Sequence, residues 1–365
     1  MKSGVLSQVP VRVPGRADVA EGALGGPVRQ SRPMGALTAL FIGGSGIISS
    51  AATALAADRG IELTLLNRGS STGRDVPKTV ERVVADIRDP GSVRQALGGR
   101  EFDVVVDWVA FTPDHVRTDV ELFEGRTGQY VFISSASAYQ TPASRLPIRE
   151  STPLRNPFWQ YSRDKIACED LLTEAYRERG FPMTVVRPSH TYDRTLVPFD
   201  AGWTFVERMR RGQEVVVHGD GSSLWTLTHH ADFALGFVGL LGQSRALGEA
   251  FHITTDEVLT WDQIAHALAR AAGAEARIVH VPSDVIAAAD PGWGAGLLGD
   301  KTHSSVFDNS KIKTLVPDFV CTRPFDRGAQ EIVDHHDAVE SRREVDPHHD
   351  GLMDQLVERW RVAGS

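Results

Sequence analysis

A tyrosine and a lysine lie four positions apart in the segment YSRDK, which runs from Tyr161 to Lys165. On a helix these two positions share one face, so the phenol and the ammonium group would point to the same side. An isolated phenol titrates at a pH of about 10, and a neighbouring positive charge lowers its pKa by favouring the phenolate. Ser134 and Ser135 precede the pair at the end of the apolar segment FISS. We therefore expect three catalytic residues: Tyr161 takes a proton from an alcohol, Ser135 holds the alcohol oxygen, and Lys165 assists Tyr161.

An acceptor for the hydride that leaves the alcohol carbon is indicated by the glycine-rich segment FIGGSGIISS, residues 41–50. It follows an apolar run typical of a buried strand and precedes a segment with helical spacing. Gly43 can make a tight turn, and Gly46 can let a pyrophosphate approach the backbone beside Ile47 at the helix N-terminus. The alternatives are a bare turn here and a chance surface pair at YSRDK. The order of the two motifs along the chain favours a dinucleotide site that serves an active site.

The end of the second predicted strand, IELTLLNRG, should select the dinucleotide. An acidic residue there would bind the ribose 2′-hydroxyl, but this chain has Asn67 and Arg68. Asn67 can still bond a hydroxyl, and Arg68 can clamp a 2′-phosphate, which favours NADP. An arginine at a strand end is also often just a solvated charge, so NAD stays open. Asp86 and Ile87, at the end of the third predicted strand, should meet the adenine.

Strand and helix patterns alternate from Ala36 to about residue 190, which predicts an α/β fold with a Rossmann-like, doubly wound parallel sheet. We expect a dinucleotide-binding Rossmann domain over 35–190, to which some later segments return. A smaller C-terminal α/β substrate-binding lobe should cover 191–330, and a helical tail 331–365. The Pro-, Gly- and Arg-rich residues 1–34 predict a disordered N-terminal extension.

The composition narrows the function classes. The 365 residues are 41% hydrophobic and 24% charged, and the formal net charge of -8 argues against a nucleic-acid partner, which needs a basic face. Two cysteines, Cys168 and Cys321, are too few for a disulfide framework, so we expect a cytoplasmic protein. No apolar run approaches the roughly 20 residues that span a bilayer, so no membrane partner is expected. The paired histidines lie in polar segments, so no metal site is expected.

Several of these segments together resemble the extended short-chain dehydrogenase/reductase superfamily, and within it the NAD-dependent epimerase/dehydratase family. The resemblance covers roughly residues 36–330 and rests on Gly43, Gly46, Asp86, DVVVDWVAF, FISSASAY, Tyr161, Lys165, VVRPSHTYD and VHGDGSSLWTLTHHADFA. It implies bound NAD(P), with NAD favoured by the family's reactions, a sugar-like substrate, and a homodimer built on two long helices. It also implies cofactor contacts by Val109, Ala110, Ser134, Pro188 and Lys165, the last of these to the nicotinamide ribose.

The chain departs from the family pattern at two substrate positions. Trp225 stands where many sugar-nucleotide enzymes of the family carry an arginine that grips a diphosphate. Tryptophan can instead stack on a sugar or base, which favours a nucleoside, a sugar monophosphate or a free glycoside. Ala136 and Ser137 replace the Asp–Glu pair of the 4,6-dehydratases, which removes their usual acid and base. The residues expected to line the substrate pocket are Phe111, Ser137, His190, Trp203, Trp225 and His229, the histidines as a second acid or base or as structural hydrogen-bonding groups.

Three functions fit these observations. The leading one is an enzyme that transiently oxidises a carbinol of a sugar or nucleoside, so that epimerisation or loss of water can follow before the hydride returns. The first alternative is a simple NADP-dependent reductase or dehydrogenase that releases its cofactor after each turnover. The second belongs to another class: a non-catalytic dinucleotide-binding sensor or RNA-associated protein.

Overall fold

The first half of the described chain alternates strands with helices, as the sequence predicts. The computed structural model describes residues 35–69 and 74–363, so the expected disordered extension over 1–34 lies outside the described residues. The elements are β1 (Thr38–Ile42), α1 (Ile47–Asp58), β2 (Glu62–Asn67), β3 (Glu81–Val84), α2 (Pro90–Leu97), β4 (Phe102–Asp107), α3 (Pro113–Phe123), β5 (Thr127–Ile133), α4 (Gln160–Arg179) and β6 (Met183–Pro188). A short 3₁₀ turn, Ala136–Ala138, follows β5.

The second half has shorter strands between its helices. Its elements are β7 (His190–Tyr192), α5 (Trp203–Arg210), β8 (Glu214–His218), β9 (Leu224–Trp225), β10 (Leu227–His229), α6 (His230–Leu240), β11 (Ala250–Ile253), β12 (Leu259–Thr260), α7 (Trp261–Ala271), β13 (Arg277–Val281), α8 (Ser283–Ala289), α9 (Pro291–Gly296), α10 (Ser310–Leu315), α11 (Phe325–Asp337) and α12 (Pro347–Ala363). A π-helical turn, Leu297–Lys301, follows α9.

Seven parallel strands form the central sheet in the order β11-β6-β5-β4-β1-β2-β3. Four of the five residues of β1 and five of the six residues of β4 are buried, because helices cover both faces of the sheet. Helix α1 packs against α6, and α3 packs against α4. The predicted α/β, doubly wound fold is confirmed. The strand order reverses between β1 and β4, and ligands of such sheets bind at the carboxyl ends of the strands at this point.

A second apolar core lies in the C-terminal half of the chain, around Phe205, Trp225 and Trp261. Three two-stranded sheets accompany it: β8 with β13, β7 with β10, and β9 with β12. Helices α11 and α12 add Ile332 and Met353 to this core. Strand β11 pairs with β6 and so joins the central sheet from the later part of the chain. The domain boundaries at residues 190 and 330 stay predictions. No helix within 35–69 and 74–363 has the length and apolar character needed to cross a bilayer.

Candidate active site

The turn between β1 and α1 presents bare backbone at the carboxyl end of β1. Gly43 and Gly44 have φ angles of 95° and 106°, a region that side chains with a Cβ rarely adopt. A Cβ on Gly44 would lie 2.7 Å from the Leu65 side chain, so the turn has no room for one. The backbone N–H of Gly46 donates to Ser49 Oγ at 2.8 Å, so Ser49 closes the turn where a third glycine is often found. A cleft of about 450 Å³ is lined by this turn.

The far end of the same cleft is formed by residues that follow β2 and β3. Asn67 and Arg68 line it, as do Asp86 and Ile87. Arg88 also lines the cleft, and its guanidinium donates to the backbone carbonyl of Val109. The sequence analysis did not single out Arg88, although its place directly after Ile87 could have indicated it. Two arginines therefore border this end of the cleft, and Arg68 is exposed.

The loop after β4 forms another side of the cleft and is fixed by a buried carboxylate. Asp107 Oδ1 accepts hydrogen bonds from the N–H groups of Val109 and Ala110, at 2.5 and 2.8 Å. Val109 and the half-exposed Phe111 line the cleft, whereas the Ala110 side chain is buried. Ile47, the first residue of α1, is half-buried, and its carbonyl accepts from His230 Nδ1 at 3.1 Å.

A second cavity, of about 310 Å³, brings together Ser135, Ser137, Tyr161, Pro188 and His190. Its serines are linked, because Ser135 Oγ lies 2.8 Å from Ser137 Oγ. Ser134 takes no part in this group, although it precedes Ser135 directly. Its hydroxyl donates to Glu169 Oε1 at 2.5 Å, and its side chain is buried. The Ser134 side chain therefore contacts the interior, and the expected cofactor contact of Ser134 stays a prediction for its backbone.

Lys165 is buried and contacts both the loop after β4 and the end of β5. Its ammonium group donates to the carbonyl oxygen of Ala110 at 2.6 Å and to that of Ile133 at 2.7 Å. Burial lowers the pKa of Lys165 to about 8. The ammonium nitrogen lies 5.7 Å from the centre of the Tyr161 ring. Lys165 is thus positioned by two backbone carbonyls.

The ionisation of Tyr161 depends on its surroundings. Burial raises the pKa of the Tyr161 phenol; a hydrogen bond from Ser135 lowers it, and the nearby Asp300 carboxylate raises it. In the protein by itself desolvation outweighs the favourable contacts, so Tyr161 holds its proton and is a donor. The expected phenolate, which needs Lys165 and the cationic nicotinamide ring together, stays a prediction for the assembled site.

Trp225 does not offer a ring face to a substrate. It is 1% exposed, and its indole Nε1 donates to His190 Nδ1 at 3.2 Å. Burial lowers the pKa of His190 to about 3, so this imidazole is neutral and carries its proton on Nε2. The expected stacking role of Trp225 is therefore wrong. Its side chain instead fixes the tautomer of His190, which lines the cavity as a hydrogen-bond donor.

Trp225→Phe should release His190 from this tautomer, because phenylalanine has no N–H to donate. We expect the free energy of unfolding to fall by about 1–3 kcal/mol, because a buried acceptor is left unpaired. Nitrogen-15 NMR of the histidine rings should show the His190 proton shared between Nδ1 and Nε2. Trp360→Phe, at a partly exposed site on α12, is the matched control. An unchanged Nε2–H signal from His190 would contradict this role.

The remaining expected substrate residues are divided between two places. Trp203 lines a neighbouring cavity of about 280 Å³. This cavity shares His190 and Lys301 with the cavity that Ser135 and Tyr161 line. The Trp203 ring stacks on His336 with ring centres 4.6 Å apart. His229 lies outside the linings of both cavities: its Nδ1 accepts from the Ala231 N–H at 3.2 Å and caps α6. The expected substrate contact of His229 is therefore wrong, because capping engages its ring.

The two charged residues described in the cavity of Ser135 and Tyr161 escaped the sequence analysis. Asp300 and Lys301, from the π-helical turn, line the cavity together with Ser135 and Tyr161. No local pattern around GDK indicates this position, because the turn reaches the cavity only through the tertiary fold. Burial raises the pKa of Asp300 to about 7.

Comparisons with known proteins identify the family of the chain. The model of the NAD-dependent epimerase/dehydratase family matches residues 39–254, which is more than half of the chain. The chain belongs to this family, and the resemblance seen in the sequence is confirmed.

The similar proteins carry names of different kinds. The chloroplast stem-loop binding protein of 41 kDa b of Arabidopsis thaliana is 28% identical over 254 residues, 66% of this chain and 65% of its own length. The match thus spans slightly less than two thirds of that relative. The 2′-dehydrokanamycin reductase of Streptomyces kanamyceticus is 25% identical over 297 residues, covering 78% of this chain and 80% of its own. A dTDP-glucose 4,6-dehydratase of Bacillus anthracis, solved with NAD, shares the fold with a TM-score of 0.67 at 19% identity, over 84% of this chain and 98% of that one.

Proposed function

We propose that this protein is an NAD(P)-dependent enzyme that transfers a hydride to or from a carbinol carbon of a sugar or nucleoside, by chemistry of the epimerase/dehydratase type. The observation that carries the proposal is the joint position of Ser135 and Tyr161 on one cavity. Lys165 links that cavity to the glycine-lined cleft, because its ammonium group bonds Ala110 in the cleft loop and Ile133 just before the serines.

The cleft residues fit a nicotinamide dinucleotide. Gly43, Gly44 and Gly46 leave the backbone uncovered by side chains near the N-terminus of α1, where a pyrophosphate could approach it. A Cβ on Gly43 would lie 3.2 Å from Val109 Cγ1, which also lines the cleft. Asn67 and Arg68 would meet the adenosine ribose. Asp86 and Ile87 would lie at the adenine, and Val109 and Pro188 would lie nearer the nicotinamide ring. When bound, the dinucleotide supplies a carbon that accepts or returns the hydride.

The chain's own residues then handle the proton. Ser135 donates a hydrogen bond to the substrate oxygen and holds it beside Tyr161. Tyr161 gives its proton to that oxygen when a ketone is reduced, and takes a proton from it when an alcohol is oxidised. Lys165, held between two carbonyls, brings positive charge to the ribose side of the site and would lower the pKa of Tyr161 once the site is assembled.

A second candidate, an NADP-dependent reductase that releases its cofactor, is favoured by two observations. Arg68 and Arg88 border the adenosine end of the cleft, which suits a 2′-phosphate. Tyr161 holds its proton in the protein alone, which suits donation to a ketone. A relative that is 25% identical to this chain is named 2′-dehydrokanamycin reductase.

The cavity favours substrates without a diphosphate. Lys301 is the cation among its described lining residues, and its Nζ already lies 3.5 Å from Asp200 Oδ2. Asp300 adds a further acidic group. A free glycoside or nucleoside therefore fits better than a sugar nucleotide, because a diphosphate would meet unbalanced negative charge.

The test follows nicotinamide absorbance and product mass in parallel. Protein with NADPH or NADH is offered 2′-dehydrokanamycin, and protein with NADP⁺ or NAD⁺ is offered glucosides, nucleosides and dTDP-glucose. Product without net absorbance change supports the epimerase/dehydratase proposal, and stoichiometric loss of NADPH supports the reductase. Failure of the protein to bind any of the four dinucleotides would overturn both.

Arg68→Ala should weaken NADP binding by about 10- to 100-fold and leave NAD binding within about twofold, because charged hydrogen bonds to the 2′-phosphate are lost. Titration calorimetry with each dinucleotide measures both affinities. Arg82→Ala, at an exposed site on β3 outside the cleft, is the matched control. Equal losses for NADP and NAD would contradict a 2′-phosphate clamp at Arg68.

The non-catalytic, RNA-associated alternative is supported by the name of one relative, the chloroplast stem-loop binding protein. The net charge of -8 and the Ser135–Tyr161–Lys165 set weigh against it. Tight, salt-sensitive binding of a stem-loop RNA, without turnover of any substrate, would favour this alternative. The homodimer, the cytoplasmic location and the absence of nucleic-acid and membrane partners stay predictions.

A further inference from the structure

The π-helical turn Leu297–Lys301 brings Asp300 into the cavity that holds Ser135 and Tyr161. π-Helical turns are rare in proteins, and those that do occur are often found at functional sites. The Asp300 carboxylate lies near enough to Tyr161 to raise the pKa of its phenol. Asp300 thus belongs to the same chemical environment as the hydroxyl groups that would hold the substrate oxygen.

The turn is anchored on both sides of Asp300. The buried Asn156 amide donates to the carbonyl of Gly299 at 2.6 Å and to that of Ser137 at 2.8 Å, which ties the turn to the serine segment. The carbonyl of Lys301 accepts from His218 Nε2 at 3.0 Å. Asp300 is therefore held in place relative to Ser135, as a catalytic group must be.

The Asp300 carboxylate is left available. Within the described parts of the chain its side chain makes no hydrogen bond and no ion pair, whereas the neighbouring Lys301 lies 3.5 Å from Asp200. Burial, opposed in part by Lys301, raises the pKa of Asp300 to about 7. A carboxyl group that titrates near the working pH is the kind that exchanges protons efficiently.

The other described groups of the cavity cannot do this work. Ala136 and Ser137, which also line it, bring no acid or base. His190 is held neutral, with its Nδ1 lone pair occupied by Trp225. Tyr161 is engaged with the substrate oxygen. Lys301 is paired with Asp200, its Nζ 3.5 Å from Asp200 Oδ2. This leaves Asp300 as the proton-transfer group for a carbon atom.

We propose that Asp300 is the catalytic residue that exchanges a proton with the carbon next to the substrate carbonyl. The proposal rests on the proposed function, which supplies the ketone. The Asp300 carboxylate takes the proton, and the electron pair of the broken C–H bond forms the C=C bond of an enolate. Ser135 and Tyr161 donate hydrogen bonds to the enolate oxygen. Return of the proton restores the ketone, so no oxidant or reductant is consumed.

The first test separates this step from hydride transfer. Protein with NADP⁺, which cannot reduce a ketone, is mixed with 2′-dehydrokanamycin in deuterium oxide, and deuterium uptake beside the carbonyl is followed by NMR. We expect uptake with the wild type and a loss of about 100-fold or more in Asp300→Asn. Reduction of the same ketone by NADPH should stay within about tenfold in this variant. Asp284→Asn, an exposed aspartate on α8, is the control.

The outcomes distinguish the two proposals. Reduction by the wild type without deuterium uptake overturns the role of Asp300 and leaves hydride transfer to the ketone standing, as in the reductase candidate. Loss of both reactions in a folded Asp300→Asn variant also overturns it, because the residue would then serve the site as a whole. A fall in deuterium uptake in Asp300→Asn, but not in Asp284→Asn, with reduction of the ketone retained, supports the role of Asp300.

The second test needs no substrate. Carbon-13 NMR of labelled aspartates, with Asp300→Asn to assign the resonance, measures the pKa of Asp300 directly. Lys301, Asp200, Tyr161 and His190 face this group. The carboxylate is the active form, so deuterium uptake should rise with pH up to about 7 and then level off, and should be flat in the variant. Titration of Asp300 near its ordinary value of about 4 would overturn the proposal even if no ketone is reduced.

Discussion

Tyr161→Phe should lower turnover by about 10³-fold or more and leave dinucleotide affinity within about twofold. The phenol borders the cavity with Ser135, and under the proposed function its proton goes to or comes from the substrate oxygen, so its loss should remove acid–base catalysis worth about 10²–10⁴-fold. The ring itself stays, so its packing against Trp159, with ring centres 4.9 Å apart, should survive. Steady-state rates with the substrate identified by the panel, together with titration calorimetry, measure the two effects.

Tyr176→Phe is the matched control, because Tyr176 lies on the same helix, α4, with a partly exposed ring. It should leave turnover within about twofold. Unchanged turnover in Tyr161→Phe would remove the proposed proton donor, whatever the cofactor. Equal losses in affinity and turnover would indicate that Tyr161 shapes the dinucleotide site instead.

The strands of the central sheet could be predicted from the sequence because of how parallel sheets are buried. With helices on both faces, a strand such as β4 appears as a continuous apolar run, FDVVVD, and each run is followed by a helical pattern. The place of β11 next to β6 has no such local cause. It is set by pairing between residues about 65 positions apart, such as Val185 with Ala250.

The residues of the candidate site also fall into two groups: those that a local sequence pattern indicates and those that only the tertiary fold brings to the site. Gly43, Ser135 and Tyr161 belong to local patterns, because a turn, a strand end and a helix face each place them. Asp300 reaches its cavity through contacts that no short pattern contains. The sequence also does not show which aromatic and polar side chains are buried.

A buried tryptophan and a substrate-stacking one look alike in a sequence, so Trp225 was misjudged. Ser134 and Ser135 also look alike, but successive residues of an extended segment point to opposite sides. Only Ser135 lines the cavity, while Ser134 bonds Glu169.

Helix α4 carries a third ionisable residue on the stripe that begins with Tyr161 and Lys165. Glu169 follows at the next i+4 position and pairs with Arg187 of β6, with Nη2 and Oε2 2.5 Å apart and both side chains buried. Burial would lower the pKa of Arg187, but the hydrogen bonds and charge of Glu169 outweigh it and raise the pKa above its ordinary value. This pair anchors α4 to the sheet, and Glu169 Oε1 also accepts a hydrogen bond from the Ser134 hydroxyl.

Glu169→Ala should lower the free energy of unfolding by about 3–5 kcal/mol, because Arg187 would remain charged and buried without its partner. Urea unfolding measures this loss. Glu174→Ala, at an exposed site of α4, should change stability by about 0.5 kcal/mol or less. Glu169→Leu combined with Arg187→Met should regain much of the loss, since no buried charge is left unpaired. A single variant as stable as the wild type would mean that water reaches Arg187, and that packing alone holds α4 against the sheet.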